Sequence, residues 1–233
     1  MALQTKLARM PELLLDLIFP RKCVGCGMEG EFLCVSCAET LPRLELPFCD
    51  RCGIPITQGH LCHKCLKSPF VIDGIRSLFL HEGLARDAVH SLKYNNLKAL
   101  GPTLAKFMAE FLEFGNLSFD LLAAVPMHSK RMRKRGYNQA DLLVDELSRL
   151  VRLPVARGTL VRLRDTPSQV SLGAEDRRHN MQGAFRCYDS LQDRKVLLVD
   201  DVCTTGATLN ACAVALKEAG AASVWGLTLS REC

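Results

Sequence analysis

VLLVDDVCTTGATL, residues 196–209, is the stretch on which the fold turns. Four apolar residues run straight into two adjacent aspartates, Asp200 and Asp201, and then into Thr-Thr-Gly. Like charges on neighbouring residues repel, and one aspartate or none would avoid the cost. Something positive or rich in hydroxyls is expected to receive them. The residues that follow, Thr204, Thr205, Gly206, Ala207 and Thr208, read as a strand-to-helix turn. Backbone N–H groups at such a helix N-terminus favour a phosphate. The threonines add hydroxyl donors, and Gly206 and Ala207 leave room for close approach. The stretch therefore asks for a phosphate beside a polyhydroxyl group. A ribose 5-phosphate meets both demands: the carboxylates accept from the 2′- and 3′-hydroxyls, and the turn takes the 5′-phosphate.

Outward from this motif, strands alternate with helices. Residues 74–80 and 121–126 read as strands, the second stopped by Pro126, and VLLV (196–199) and SVWGLTL (223–229) read as two more. Leu84, Ala85, Ala88, Val89 and Leu92 share one helical face, as do Leu100, Leu104, Phe107, Met108 and Phe111. Ala140, Leu143, Val144, Leu147 and Val151 mark a longer helix with Asn138 as its N-cap. Leu209, Cys212, Ala213 and Leu216 mark the last, ended by Gly220. This alternation, with continuous apolar strands, predicts an α/β fold: a parallel sheet with helices on both faces. Ligands in such sheets bind beyond the carboxyl ends of the strands, where Asp200 and Asp201 are expected.

The first third of the chain is different. Of twelve cysteines, eight form four CxxC pairs: Cys23/Cys26, Cys34/Cys37, Cys49/Cys52 and Cys62/Cys65. A CxxC knuckle sets two thiolates at the bite of a tetrahedral Zn²⁺, with Zn–S of about 2.3 Å. Four such pairs argue for structural zinc, about two ions per chain, over disulfides or a redox motif. Sequential pairing is the simplest, with Cys23, Cys26, Cys34 and Cys37 on one ion and Cys49, Cys52, Cys62 and Cys65 on the other; a crossed pairing stays open. His60 and His63 are then left outside the ligand set. Cys187, Cys203, Cys212 and Cys233 lack mutual spacing. Cys203 lies inside the phosphate turn, yet reads better as a small buried residue than as a nucleophile.

At 233 residues, the chain holds a full core with a small module. Three parts are expected: an amphipathic helix over 1–18, a zinc module over 19–68, and an α/β domain over 69–233. The first segment ends in Pro20 without a small-residue cleavage site and is no signal peptide by pattern. No run approaches the ~18 apolar residues that span a bilayer. Dense unpaired cysteines then point to a reducing, cytoplasmic setting. A net charge of +5 is mild, but it is unevenly placed. Lys130, Arg131, Arg133, Lys134 and Arg135 cluster just after the strand at 121–126. They suit a pyrophosphate and a nucleic-acid backbone equally well. Tyr137 is a candidate base-stacking ring beside them, and SLKYNN (91–96) is a candidate hood over the site.

VLLVDDVCTTGAT resembles the phosphoribosyl-pyrophosphate (PRPP) motif of type I phosphoribosyltransferases. Together with MHSKRMRKRGYNQA, TPSQVSLGAEDRRHNMQGAF and LIFPRKCVGCG, it makes the chain similar to the ComF family from about Leu13 to Leu229. These are zinc-bearing, phosphoribosyltransferase-like proteins of DNA uptake and natural competence. The resemblance implies a zinc module joined to a type I phosphoribosyltransferase fold and PRPP held at Asp200, Asp201 and Thr204–Thr208. Mg²⁺ would accompany the PRPP, and the pyrophosphate would lie against a loop formed by residues 130–135. A mobile loop carrying Thr166, Gln169, Arg177 and Asn180 would close over the site. Single-stranded DNA and competence-machinery proteins are the implied partners. Purine-salvage members of the fold carry an aspartate where this chain has Thr204, which argues against a purine acceptor. Three functions follow: a PRPP-binding, ComF-type protein of DNA uptake with transferase activity open; a metabolic phosphoribosyltransferase with an unidentified acceptor; and a non-enzymatic single-strand-binding protein. The paired aspartates favour the first two, since two negative charges hinder a backbone-only binder.

Overall fold

In a computed structural model, residues 20–45, 47–68, 70–94, 97–113, 117–164 and 183–233 are described. The expected amphipathic helix over 1–18 and the loop residues Thr166, Gln169, Arg177 and Asn180 lie outside them. Strands β1 (Gly74–Leu80), β2 (Leu121–Ala124), β5 (Lys195–Cys203) and β6 (Ser223–Arg231) form a parallel sheet in the order β1-β6-β5-β2. Two three-residue strands, β3 (Leu160–Arg162) and β4 (Phe185–Cys187), pair antiparallel beside it. Period-two alternation splits the strand side chains between two cores. Leu197, Val199, Leu227 and Leu229 pack with helices α3 (Gly83–Tyr94), α4 (Gly101–Glu113) and α6 (Gln139–Val151). Val196, Leu198 and Val224 pack on the opposite face against α7 (Ala207–Glu218). The expected parallel sheet, covered on both faces, is what the chain forms.

Two short helices, α1 (Val35–Glu39) and α2 (His63–Lys67), begin at the second CxxC of each cysteine group. The cysteine module is bound into the sheet. Ile75 N–H donates to Arg51 O at 2.8 Å, and Leu44 N–H to Leu78 O at 3.0 Å. The Arg76 guanidinium lies over both Phe48 and Trp225, 4.9 and 5.0 Å from the ring centroids. Gly53, at φ 73°, has Ile75 O so close that a Cβ would meet it at 2.4 Å. That approach is open to glycine alone. No helix among the described residues is long and apolar enough to cross a membrane.

One boundary moves. β5 does not stop at Val199 but continues through Asp200 and Asp201 to Cys203, paired with β6 to its last residue. Charge does not end a strand whose neighbour still offers hydrogen bonds.

Candidate functional site

The alternation that sorts the cores also separates the two aspartates. Asp201 projects toward α3, where Lys93 Nζ lies 2.7 Å from its Oδ1. Lys93 stands in the last turn of α3 and receives one of the two charges. Asp200 projects the other way, toward β3 and α7, where Arg162 and Cys212 feel its charge. As a residue Asp200 is partly exposed, yet its carboxyl sits deep. Burial pushes it up to about 7, with the Asp201 charge adding to the rise and Lys93 and Arg162 drawing it back. The pair is thus one paired carboxylate and one carboxyl poised near neutrality.

Beyond β5 the chain turns through Thr204 and Thr205 into Gly206, which is left-handed at φ 79° and caps α7. A Cβ there would meet Ile75 Cδ1 and Phe70 Cε2, each at 3.0 Å, so glycine is required twice over. Thr205 Oγ1 accepts from Ala207 N–H at 3.4 Å, and α7 has no side-chain cap on Gly206. The turn thus presents the first N–H groups of a twelve-residue helix beside Asp200. Cys203 is buried; it accepts from Arg231 Nη1 at 2.9 Å, and burial raises its thiol. It is a packed residue, not a nucleophile.

The basic run is a helix, α5 (Ser129–Arg135), where the sequence reading has a loop. The turn after it is pinned by Asn138, whose Oδ1 caps α6 through Ala140 N–H and whose Nδ2 donates to Val125 O at 3.0 Å. This holds α5 at the carboxyl end of β2. Arg135 lies over the Tyr94 ring, 5.1 Å from its centroid, and donates to Gln139 Oε1 at 2.7 Å. Tyr94 follows Lys93, so the basic helix and the aspartates share one edge. Lys130, Arg133 and Lys134 are exposed there. Tyr137 is no stacking platform. It is 8% exposed, its hydroxyl donates to Leu92 O at 2.5 Å, and Lys98 covers its ring at 4.6 Å.

The cysteines form the two groups that sequential pairing predicts, Cys23/Cys26/Cys34/Cys37 and Cys49/Cys52/Cys62/Cys65, and no crossed pairing arises. Within each group the sulfurs lie within 4.8 Å of one another. The Cys23–Cys34, Cys26–Cys34 and Cys52–Cys62 separations are each 3.7 Å. A tetrahedron with Zn–S of about 2.3 Å has edges of about 3.8 Å, so the donors fit zinc, whereas a disulfide needs about 2.05 Å. Burial raises the Cys23 thiol, but N–H groups of Cys26, Cys34 and Gly25 outweigh it and bring the group down to about 6. Cys49 falls to about 7 by the same balance, with N–H groups of Cys52, Cys62 and Arg51 opposing burial. Backbone donors thus favour one thiolate in each group, while the hydrogen-bonded Cys34 sulfur raises Cys37 and burial raises Cys52 and Cys65. His60 is 89% exposed beside Asp50 and His63 is exposed; neither joins a group.

Sequence reasoning named Lys93 only as part of a candidate hood and missed Arg162 and Arg231. A basic residue closing the apolar run of β6 was the available signal for Arg231.

Comparison with known proteins adds family identity to this geometry. Residues 14–66 match the double zinc ribbon domain, and residues 133–229 match the phosphoribosyl transferase domain. The chain is 30% identical to DNA utilization protein YhgH of Escherichia coli K12, covering 89% of this chain and 96% of the relative. It is 32% identical to Competence protein F of Haemophilus influenzae, covering 90% and 97%. Competence protein ComFC of Bacillus subtilis is 26% identical, over 86% and 85%. Among solved structures, purine phosphoribosyltransferase from Pyrococcus horikoshii aligns at a TM-score of 0.35 and 16% identity, over 55% of this chain and 80% of that one.

Proposed function

We propose, from the premise that this chain belongs to the ComF family of zinc-ribbon, phosphoribosyltransferase-like competence and DNA-utilization proteins, that it binds PRPP at the Asp200–Thr208 edge and acts on or with single-stranded DNA. One observation carries the reading: Asp200 and the Lys93-paired Asp201 stand near the end of β5, one turn before a glycine-capped helix N-terminus. Ribose hydroxyls need acceptors and a 5′-phosphate needs N–H donors, and both lie on consecutive residues. The exposed cations of α5, at the same edge, supply the charge that a departing pyrophosphate requires. Carboxylates are hard oxygen donors of the kind Mg²⁺ accepts, and Asp200 and Asp201 would be the residues that hold it together with PRPP. When bound with PRPP, the ion would neutralise pyrophosphate charge. The chain's own part is to hold the ribose, accept its hydroxyl protons in hydrogen bonds and orient C1′.

The α5 cations also support contact with a DNA backbone, and the two ligands would then compete for one surface. This reading is tested by pyrophosphate release from PRPP in the presence of nucleobases, amines or single-stranded DNA, with PRPP displacement of labelled single-stranded DNA alongside. Binding without release identifies a PRPP-responsive DNA-handling protein. Release with one acceptor class identifies a transferase. Failure of PRPP either to bind or to displace DNA overturns the reading.

A further inference from the structure

A cavity of about 220 Å³ lies between the second cysteine knuckle and the phosphate turn. Its walls include Thr204 and Thr205 of the turn, Phe70, Lys64, Glu232 and Arg231, and its floor Cys52, Cys62 and Cys65, so part of the space is that of the second zinc site. It therefore opens beside the phosphate turn, on the side of the second cysteine group. At this volume it falls below the ~300–1,000 Å³ usual for drug-sized ligands, which fits one small ring and not a nucleotide.

Arg231 gives the cavity its chemistry. It is the last residue of β6, held by pairing to Leu80 on one side and Cys203 on the other. Its side chain is buried, at 2% exposure. Nη1 donates to Cys203 Sγ, while Nε is buried with no hydrogen-bond partner among the described residues. No carboxylate lies within ion-pair distance of it among the described ion pairs. A buried guanidinium with an unsatisfied N–H is costly unless a partner arrives. Cys52 feels the Arg231 charge through space, but no sulfur is a hydrogen-bond partner of Nε. Lys64 adds a second cation at the wall and Glu232 an acid.

We infer that this cavity is the acceptor pocket of the PRPP site and that it takes a small ring bearing a carboxylate, anchored through Arg231. The inference rests on the PRPP reading above and names its substrate class. Guanidinium suits a carboxylate because its N–H donors are planar and charge-assisted. Phe70 and the Thr204 and Thr205 hydroxyls suit the ring itself. In the transfer, the ring-nitrogen lone pair forms the bond to C1′. The C1′–O bond to pyrophosphate breaks, its electron pair leaves with pyrophosphate, and any N–H proton passes to solvent. The second zinc ribbon thus forms one wall of a substrate pocket as well as bracing the fold.

Two matched pairs of probes test it: orotate against uracil, and nicotinate against nicotinamide. Each is titrated calorimetrically into the zinc-loaded protein, with and without PRPP. The acids should bind about tenfold or more tightly than their neutral partners. In Arg231→Gln that preference should fall to within about twofold, with zinc content and PRPP affinity retained. Should Arg231→Gln lose its zinc, the exposed Lys64→Glu is the second variant, and the acid preference should fall about threefold in it. Equal affinity for acid and neutral probes in the wild type overturns the inference, as does an acid preference untouched in a folded variant. If the wild type fails to bind PRPP, the underlying reading falls instead. The titrations without PRPP still decide the pocket.

Discussion

At Asp200 the chain keeps a carboxyl whose charge is costly to bury, raised to about 7 by desolvation and by Asp201. A folded-state pKa above the unfolded one, about 3.9, means that the native state retains a proton the unfolded chain has released. Stability should therefore fall as pH rises from about 4 to 7, and Asp200→Asn should remove that slope in denaturant titrations across this range. Ligand affinity should run the other way. Ribose hydroxyls and Mg²⁺ favour the carboxylate, so Mg–PRPP should bind more tightly as pH climbs through about 7, and the Asn variant should lack that component. Lys93 lowers the Asp200 group through space. Lys93→Met should accordingly shift the midpoint of the affinity profile upward; an unmoved or lowered midpoint would show that Lys93 does not tune the pair. The aspartates and the phosphate turn were legible because they are contiguous. Lys93, Arg162 and Arg231 were not, because each reaches the site through the fold from a separate element. A lone basic residue in a helix or strand carries no spacing signal.

The elements that position the site were read well where periodicity is long. α3, α4, α6 and α7 each show an apolar face over twelve or thirteen residues. β3 and β4 went unread because three residues cannot establish a period. The basic run looked like a loop because five basic residues in six show no apolar face, yet seven residues close a helix there, N-capped by His128. That helix has a testable role. If it tracks a DNA backbone, log K for single-stranded DNA should fall with log salt at about −0.7 per phosphate neutralised, or roughly −3 for four or five contacts. Arg133→Ala, at an exposed position, should flatten the slope by about 0.7 and leave sequence preference slight. Arg135 is a poorer probe, since it also stacks on Tyr94. DNA binding insensitive to salt would move the contact surface away from α5.

Across the whole molecule, the zinc ribbons are part of the cores they adjoin. Cys23 and Cys34 pack with Leu78, Phe79 and Leu227, and Cys49 and Cys65 with Ile75, Leu198 and Leu209. Sequence reading separated module from domain at residue 68 because composition changes there; it could not show that β1 docks on both. Purified protein should carry about two zinc ions, and chelation should lower the thermal midpoint of the entire chain by about 10 °C or more, because binding energy of structural zinc is folding energy. An unchanged midpoint after complete zinc removal would show that the ribbons are appended and not integral.

The central claim, that the Asp200–Thr208 edge holds PRPP, is tested most directly by titrating Mg–PRPP calorimetrically into the wild type and into a double variant carrying Asp200→Asn and Asp201→Asn. Charge-assisted hydrogen bonds of about 1.5–3 kcal/mol each are lost in the variant. PRPP affinity should fall at least about tenfold, while zinc content and thermal cooperativity stay as they were. Unaltered PRPP affinity in that variant would contradict the placement of the site.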